Sequence, residues 1–224
     1  LRVLSERGIA FADLATALQH CRERAPEPPI YLRTDTHWTP QGAACAARAL
    51  TVAARQLALP AAMGSGSYQT VIDNPAATLE GDLMRFLPLA PYFAHLLPPE
   101  DSLEVQHTER LDDSESLLGE AAAPEIALVG TSYSANRLFN FTGALQQAFG
   151  GEILSYAVDG KGPFVPMLQY LQDAEARQAP PRLLIWEIPE RYLHVPFDFT
   201  GLGLPEAVLG LLPPTVAAKP PPHP

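Results

Sequence analysis

The sequence predicts an α/β fold in which a parallel sheet is covered by helices on both faces. Two observations carry that expectation. From residue 124 onward short apolar runs alternate with helical stretches, which implies parallel pairing through crossover helices. Small polar and charged residues gather just after those runs end, where open parallel sheets hold their chemistry. A third observation sets the scale: 47% hydrophobic content over 224 residues is enough for one full core, so 1–212 reads as one domain and 213–224 as a Pro-rich tail or linker.

Taken in order, Phe11–Arg24 places Leu14, Leu18 and Cys21 at helical spacing and is stopped by Pro26, Pro28 and Pro29. Ile30–Arg33 reads as a strand. Thr39 can cap a helix with Pro40 in its first turn, and the Ala-rich pattern carries that helix to about Leu59. Residues 60–75 are rich in Gly, Ser and Pro and read as a loop, and Leu79–Leu87 resumes a short amphipathic pattern. The stretch from Pro88 to Pro124 is the least legible, with a hairpin or irregular excursion expected over Leu103–Arg110. Ile126–Val129 is a buried strand ending at Gly130, followed by a tight turn and a helix over Asn136–Phe149. Glu152–Val158 supplies another strand, Pro163–Glu175 another helix, and Arg182–Ile188 a last strand closed by Pro189.

Composition excludes several function classes. With 15 Lys and Arg against 25 Asp and Glu, the net charge of -10 opposes a general grip on phosphate backbones, so nucleic acid is not an expected partner. The apolar runs are far shorter than the roughly 20 residues a membrane-spanning helix needs. Leu1–Ala17 lacks the basic start and continuous apolar segment of a signal peptide, so the amino terminus reads as a processed or trimmed edge. Cys21 and Cys45 are too few for a disulfide scaffold; both read as small buried thiols, with a bridge between them as the lesser alternative.

The chemistry concentrates at two strand ends. Ser132 follows Gly130 and Thr131 at a strand-to-helix turn, where a hydroxyl stays exposed and its own amide can favour a developing oxyanion. Capping of the next helix by Thr131, Ser132 and Ser134 would explain the same residues. Asp35 and His37 supply the second signal: a serine nucleophile needs a base to take its proton and a carboxylate to orient that base. No cofactor is called for, and a metal is discounted because no third ligand lies nearby in sequence. His20, His95, His107, His194 and His223 have no comparable partner and read as structural or solvated. Trp38 and Tyr133 flank the candidate triad and could stack on sugar faces, although Trp38 equally suits a core; Lys161, in a Gly-rich loop, could steady an acyl or uronate oxygen or simply be solvated. Glu187 and Arg191 read as an exposed ion pair.

Tyr31–Gly42, Gly130–Ser134 and Trp186–Tyr192 together resemble the AlgX and AlgJ family of alginate O-acetyltransferases, and the likeness looks greater to AlgX. Gly81–Pro88 and Gly160–Phe164 also look like family segments. The resemblance implies an SGNH-hydrolase-like three-layer α/β/α domain with circularly permuted motif order, the Asp-x-His element preceding the serine. It also implies a periplasmic enzyme with Ser132 as nucleophile, His37 as base and Asp35 as its orienting carboxylate. A polysaccharide acceptor, an acetyl donor delivered by membrane partner proteins and a place in an exopolysaccharide secretion complex follow from it. AlgX-like proteins carry a further carbohydrate-binding module where this sequence becomes Pro-rich after Leu212, so weak binding of isolated oligosaccharides is expected, with Lys161 together with Arg85 or Arg137 holding an anionic acceptor. An acetylesterase with the same triad, and a non-catalytic binding subunit of a polysaccharide export complex, are the alternative readings.

Overall fold

The computed structural model describes residues 2–57, 63–73, 75–89, 91–111, 124–195 and 197, so the expected Pro-rich tail lies outside the described residues. A short helix α1 (Arg2–Glu6) precedes α2 (Leu14–Arg24), which Asp13 caps by accepting from the Thr16 N–H at 3.2 Å. Helix α3 (Pro40–Arg55) opens as its sequence predicts: Thr39 Oγ1 accepts from the Gly42 N–H at 3.3 Å, and Pro40 occupies the first turn, where its missing N–H costs nothing. Four strands then form two small antiparallel sheets, β1 (Tyr68–Ile72) with β4 (Gln106–Arg110) and β2 (Ala77–Leu79) with β3 (Asp101–Leu103).

The carboxyl-terminal half carries the parallel sheet, in the order β6 (Ile153–Ser155), β5 (Ile126–Val129), β7 (Leu183–Trp186). Every residue of β5 is buried, which requires cover on both faces. Ile126 and Leu128 share one core with Phe139, Phe141, Leu145 and the Ala43, Ala46 and Ala47 stripe of α3. Each of those large side chains contributes about 1.5–3 kcal/mol by burial. Ala127 and Val129 point the other way along the pleat, and α6 (Phe164–Gln172) packs on β5. The α/β architecture with a parallel sheet is therefore the one expected.

Several local expectations are corrected. Ile30–Arg33 forms no strand; only a single bridge joins Tyr31 to Trp38, because the N–H groups of Arg33, Thr34 and Thr36 are taken by aspartate side chains rather than by a neighbouring strand. The loop expected over 60–75 contains β1, whose Tyr, Thr, Val and Ile suit an extended, half-buried ladder. The hairpin expected over Leu103–Arg110 is absent: β3 and β4 are neighbours in sequence but pair into different sheets. The helix expected over Asn136–Phe149 is interrupted by Asn140 at φ 49°, so α4 (Ser132–Ala135), a 3-10 turn (Arg137–Phe139) and α5 (Phe141–Phe149) replace it. The helix over Pro163–Glu175 likewise breaks at Asp173, which caps α7 (Ala174–Gln178).

The cysteine reading is also corrected. Cys21 of α2 and Cys45 of α3 form a disulfide, with Cα atoms 6.4 Å apart, because Leu18, Ile30 and Cys45 build a small core that brings the two helices together. No helix among the described residues is long and apolar enough to cross a membrane.

Candidate active site

The 31–38 strap carries Asp35 and His37 over the carboxyl end of β5, where α4 begins with Ser132. The His37 Nδ1 lies 2.5 Å from Asp35 Oδ1, and His37 Nε2 lies 2.7 Å from Ser132 Oγ, across 95 positions of sequence. These three side chains therefore meet in hydrogen-bonding order, although His37 comes from a strap and not from a strand end. The imidazole is 13% exposed, stacked on Phe139 and tilted against Tyr133, so its plane is held by packing as well as by hydrogen bonds.

The Asp35 carboxylate is almost fully used. Its Oδ1 accepts from the His37 N–H at 2.8 Å as well as from the ring, and its Oδ2 accepts from the Asp82 N–H at 2.9 Å. Burial pushes this carboxyl upward, but the hydrogen bonds from Asp82 and His37 outweigh it and hold the group below the ordinary carboxylate value. An ionised Asp35 selects the imidazole tautomer with the proton on Nδ1, leaving Nε2 to accept the Ser132 hydroxyl.

Two further aspartates shape the strap. Asp101 at the start of β3 accepts from the Arg33 N–H (3.1 Å), Arg33 Nε (3.2 Å), the Thr34 N–H (2.8 Å) and Thr34 Oγ1 (2.6 Å). Asp82, at the start of a 3-10 turn over Asp82–Phe86, accepts from the Thr36 N–H and hydroxyl at 2.9 and 2.7 Å. Gly81 is required by contact: a Cβ there would run into the carbonyl of Thr34. The fold brings the Asp82 carboxylate within 4.8 Å of the side-chain ligand atoms of Asp35 and His37, a grouping that spacing along the sequence does not show. The oxygens of both carboxylates are, however, already engaged by the hydrogen bonds just described.

On the nucleophile side, Glu187 leaves β7 and receives the Thr131 N–H at 2.7 Å, the Thr131 hydroxyl at 2.9 Å and the Ser134 hydroxyl at 3.2 Å. Burial raises its carboxyl above the ordinary value despite these donors. Glu187 is thus the anchor of the turn that presents Ser132, not half of an exposed ion pair. Arg191 instead sends Nη1 to the Tyr133 hydroxyl at 3.3 Å and lies over the Tyr133 and Tyr192 rings. The Ser132 N–H has no hydrogen-bond partner among the described residues.

The three candidate substrate contacts fare differently. Trp38 is 2% exposed, packs edge-on against Tyr133 and donates Nε1–H to the Tyr133 carbonyl at 3.1 Å, so the sugar-stacking reading is corrected to a core role. Tyr133 is buried as well, its hydroxyl donated to the Thr36 carbonyl, which joins the strap to α4 and leaves no free face for a sugar. Lys161 is exposed in the turn between Gly160 and Gly162, with no hydrogen-bond or ion-pair partner among the described residues. Arg85 and Arg137 are exposed too, and Arg85 Nε donates to the Asp82 carbonyl at 2.9 Å. Sequence reasoning missed Asp82, although it lies in one of the quoted family segments, and Asp101, for which no local signal exists.

Comparison with known proteins identifies the family. Residues 1–190 match the family described as SGNH hydrolase-like domain, acetyltransferase AlgX. A relative from Azotobacter vinelandii named probable alginate O-acetylase AlgJ is 42% identical over 204 residues, which cover 89% of this chain and 51% of that protein. The chain thus spans about half the length of the curated relatives it matches. Among solved structures, the O-acetyltransferase domain of Pseudomonas putida AlgJ superposes with a TM-score of 0.75 at 41% identity, over 88% of this chain and 64% of that one. Pseudomonas aeruginosa AlgX gives 0.66 at 27% identity, over 83% and 42%. The greater likeness to AlgX expected from the motifs is corrected by these figures. The fold, the ordered motifs and the match over 1–190 make this chain a member of the SGNH hydrolase-like AlgX acetyltransferase family.

Proposed function

We propose that this chain is a serine-dependent O-acetyltransferase domain that moves acetyl groups to hydroxyls of an exopolysaccharide such as alginate. The observation that carries the reading is the continuous Asp35, His37, Ser132 hydrogen-bond chain, with links of 2.5 and 2.7 Å. In the first half-reaction Ser132 Oγ attacks the acetyl carbonyl while its proton moves to His37 Nε2. The leaving group then takes that proton as the tetrahedral intermediate collapses to acetyl-serine. In the second half, a sugar hydroxyl gives its proton to the same nitrogen and attacks the acetyl-serine. As this second tetrahedral intermediate collapses, the bond to Ser132 Oγ breaks and His37 returns the proton to Ser132, leaving the sugar acetate and the free enzyme. Asp35 stays ionised throughout and steadies the imidazolium. The unpaired Ser132 N–H is a backbone donor for the oxyanion, and Lys161 is a candidate contact for an acceptor oxygen.

The Cys21–Cys45 disulfide supports an oxidising compartment, and together with relatives named for alginate biosynthesis it favours the periplasm. The acetyl donor is supplied by membrane partner proteins in this reading, within an exopolysaccharide secretion complex.

The test is intact-protein mass spectrometry after exposure to p-nitrophenyl acetate, with and without mannuronate oligomers. One acetyl group should appear on the wild-type protein and map to Ser132, be discharged to the oligomer, and be absent from Ser132→Ala. Acetylation of Ser132→Ala to the wild-type extent, or a label mainly on Ser134, would overturn the assignment. Discharge to water at the same rate with or without oligomer would make the domain an acetylesterase.

A further inference from the structure

Between the strap and the 3-10 turn over Asp82–Phe86 the structure contains a latch that the triad alone does not explain. The Leu83 N–H donates to the Thr34 carbonyl at 3.1 Å, the Asp82 N–H donates to Asp35 Oδ2 at 2.9 Å, and the Asp82 side chain takes both the N–H and the hydroxyl of Thr36. The same side chain brings Oδ2 to 3.9 Å from His37 Nδ1, so two carboxylates face one imidazole nitrogen. A cap or a turn would need only part of this arrangement. The sequence separation of 46 to 47 residues and the Gly81 contact with Thr34 make it a tertiary construction rather than a local motif.

We propose that Asp82 is a positioning residue for the base: it fixes the Asp35–Thr36–His37 turn and adds a second negative charge that favours the imidazolium formed when Ser132 loses its proton. This rests on the acyl-serine reading given above. Asp35 makes the direct hydrogen bond to Nδ1. Asp82 acts through its backbone N–H, which donates to Asp35 Oδ2, and through the field of its own carboxylate, whose Oδ2 lies 3.9 Å from His37 Nδ1 against 2.5 Å for Asp35 Oδ1. The other groups facing His37 are Ser132 and Tyr133 of α4, with Arg191 bonded to the Tyr133 hydroxyl behind it, and Phe139, which carries no charge.

The test compares pH profiles of kcat/KM for p-nitrophenyl acetate. Removing a negative charge near the imidazole makes its protonation harder, so the acid limb of Asp82→Asn should move to lower pH by about one unit, with a roughly 10- to 100-fold loss of rate. Asp82→Glu, which keeps the charge, should hold the limb near the wild-type pH. Thr36→Ala serves if the asparagine variant does not fold. Loss of the Thr36 hydroxyl hydrogen bond leaves the Asp82 oxygen less neutralised, so its limb should move upward by several tenths of a unit. A folded Asp82→Asn protein whose acid limb coincides with that of the wild type overturns the proposal, whatever its rate, and so does a Thr36→Ala limb that stays in place. Failure of the underlying reading looks different: wild type and Ser132→Ala would then turn over the ester alike, and no acetyl-serine would form.

Discussion

Replacing Asp101 by asparagine tests whether the strap is held by a buried anion. The wild-type carboxylate is buried and accepts four hydrogen bonds, two on each oxygen. An asparagine can keep its carbonyl toward the Thr34 N–H and hydroxyl, but its amide then points donors at the Arg33 N–H and Nε. The stranded backbone N–H costs about 1–3 kcal/mol, and the two surviving bonds weaken by roughly 1 kcal/mol each as the acceptor loses its charge. The Arg33 guanidinium, with its side chain 62% exposed, adds little. A loss of about 3–5 kcal/mol follows, which is a drop of roughly 6–20 °C in Tm for a domain of this size. Its pH dependence has a definite sign. Burial raises the Asp101 carboxyl, but the bonds from Thr34 and Arg33 outweigh it and hold the group below the ordinary value of 3.8. The folded state therefore binds this proton less readily than the unfolded chain, so the stability is fully present above the ordinary value and is lost as pH falls through the lower folded value. Calorimetric melts of both proteins from neutral pH downward should show a constant gap above about pH 5 and a narrowing one in the acid range. A gap below about 2 °C at neutral pH, or one unchanged into strong acid, would refute this account of the strap.

Glu187→Gln should behave in the opposite sense. Because burial raises the folded-state carboxyl above its ordinary value of 4.5, wild-type stability declines as pH rises from that value through the folded one, while glutamine is indifferent. The Tm of Glu187→Gln relative to wild type should therefore improve as pH rises toward neutrality, and a relative decline over that range would contradict it. Removing the disulfide with Cys21→Ser and Cys45→Ser, which opens a loop of 24-residue separation, should cost about 2–4 kcal/mol in denaturant melts. Acetylation of Ser132 should survive that change in the folded fraction, since α2 supplies no residue to the site, and its loss in folded protein would contradict the separation of the two regions.

Parts of the fold that depend on near neighbours in the chain were legible without coordinates. Thr39 and Pro40 start α3, the apolar run over Ile126–Val129 makes the central strand, and Gly130 to Ser132 form the strand-to-helix turn, because caps, burial runs and turns are set by residues a few positions apart. Asp35 and His37 were legible for the same reason, as a short spacing with a chemical meaning. What decided the rest acts over long separations. The strap looked like a strand until Asp101 and Asp82, from 46 to 68 residues away, took the N–H groups a strand partner would have used. Trp38 and Tyr133 looked available to a ligand until the packing of α4 against the strap buried them, and Glu187 became an anchor only because β7 lies beside β5. For the two cysteines the bridge was only the lesser alternative in the sequence, and the docking of α2 on α3 brought them within reach. A hydrogen-bond acceptor chooses the donors that folding delivers to it, and that choice is made by topology rather than by composition.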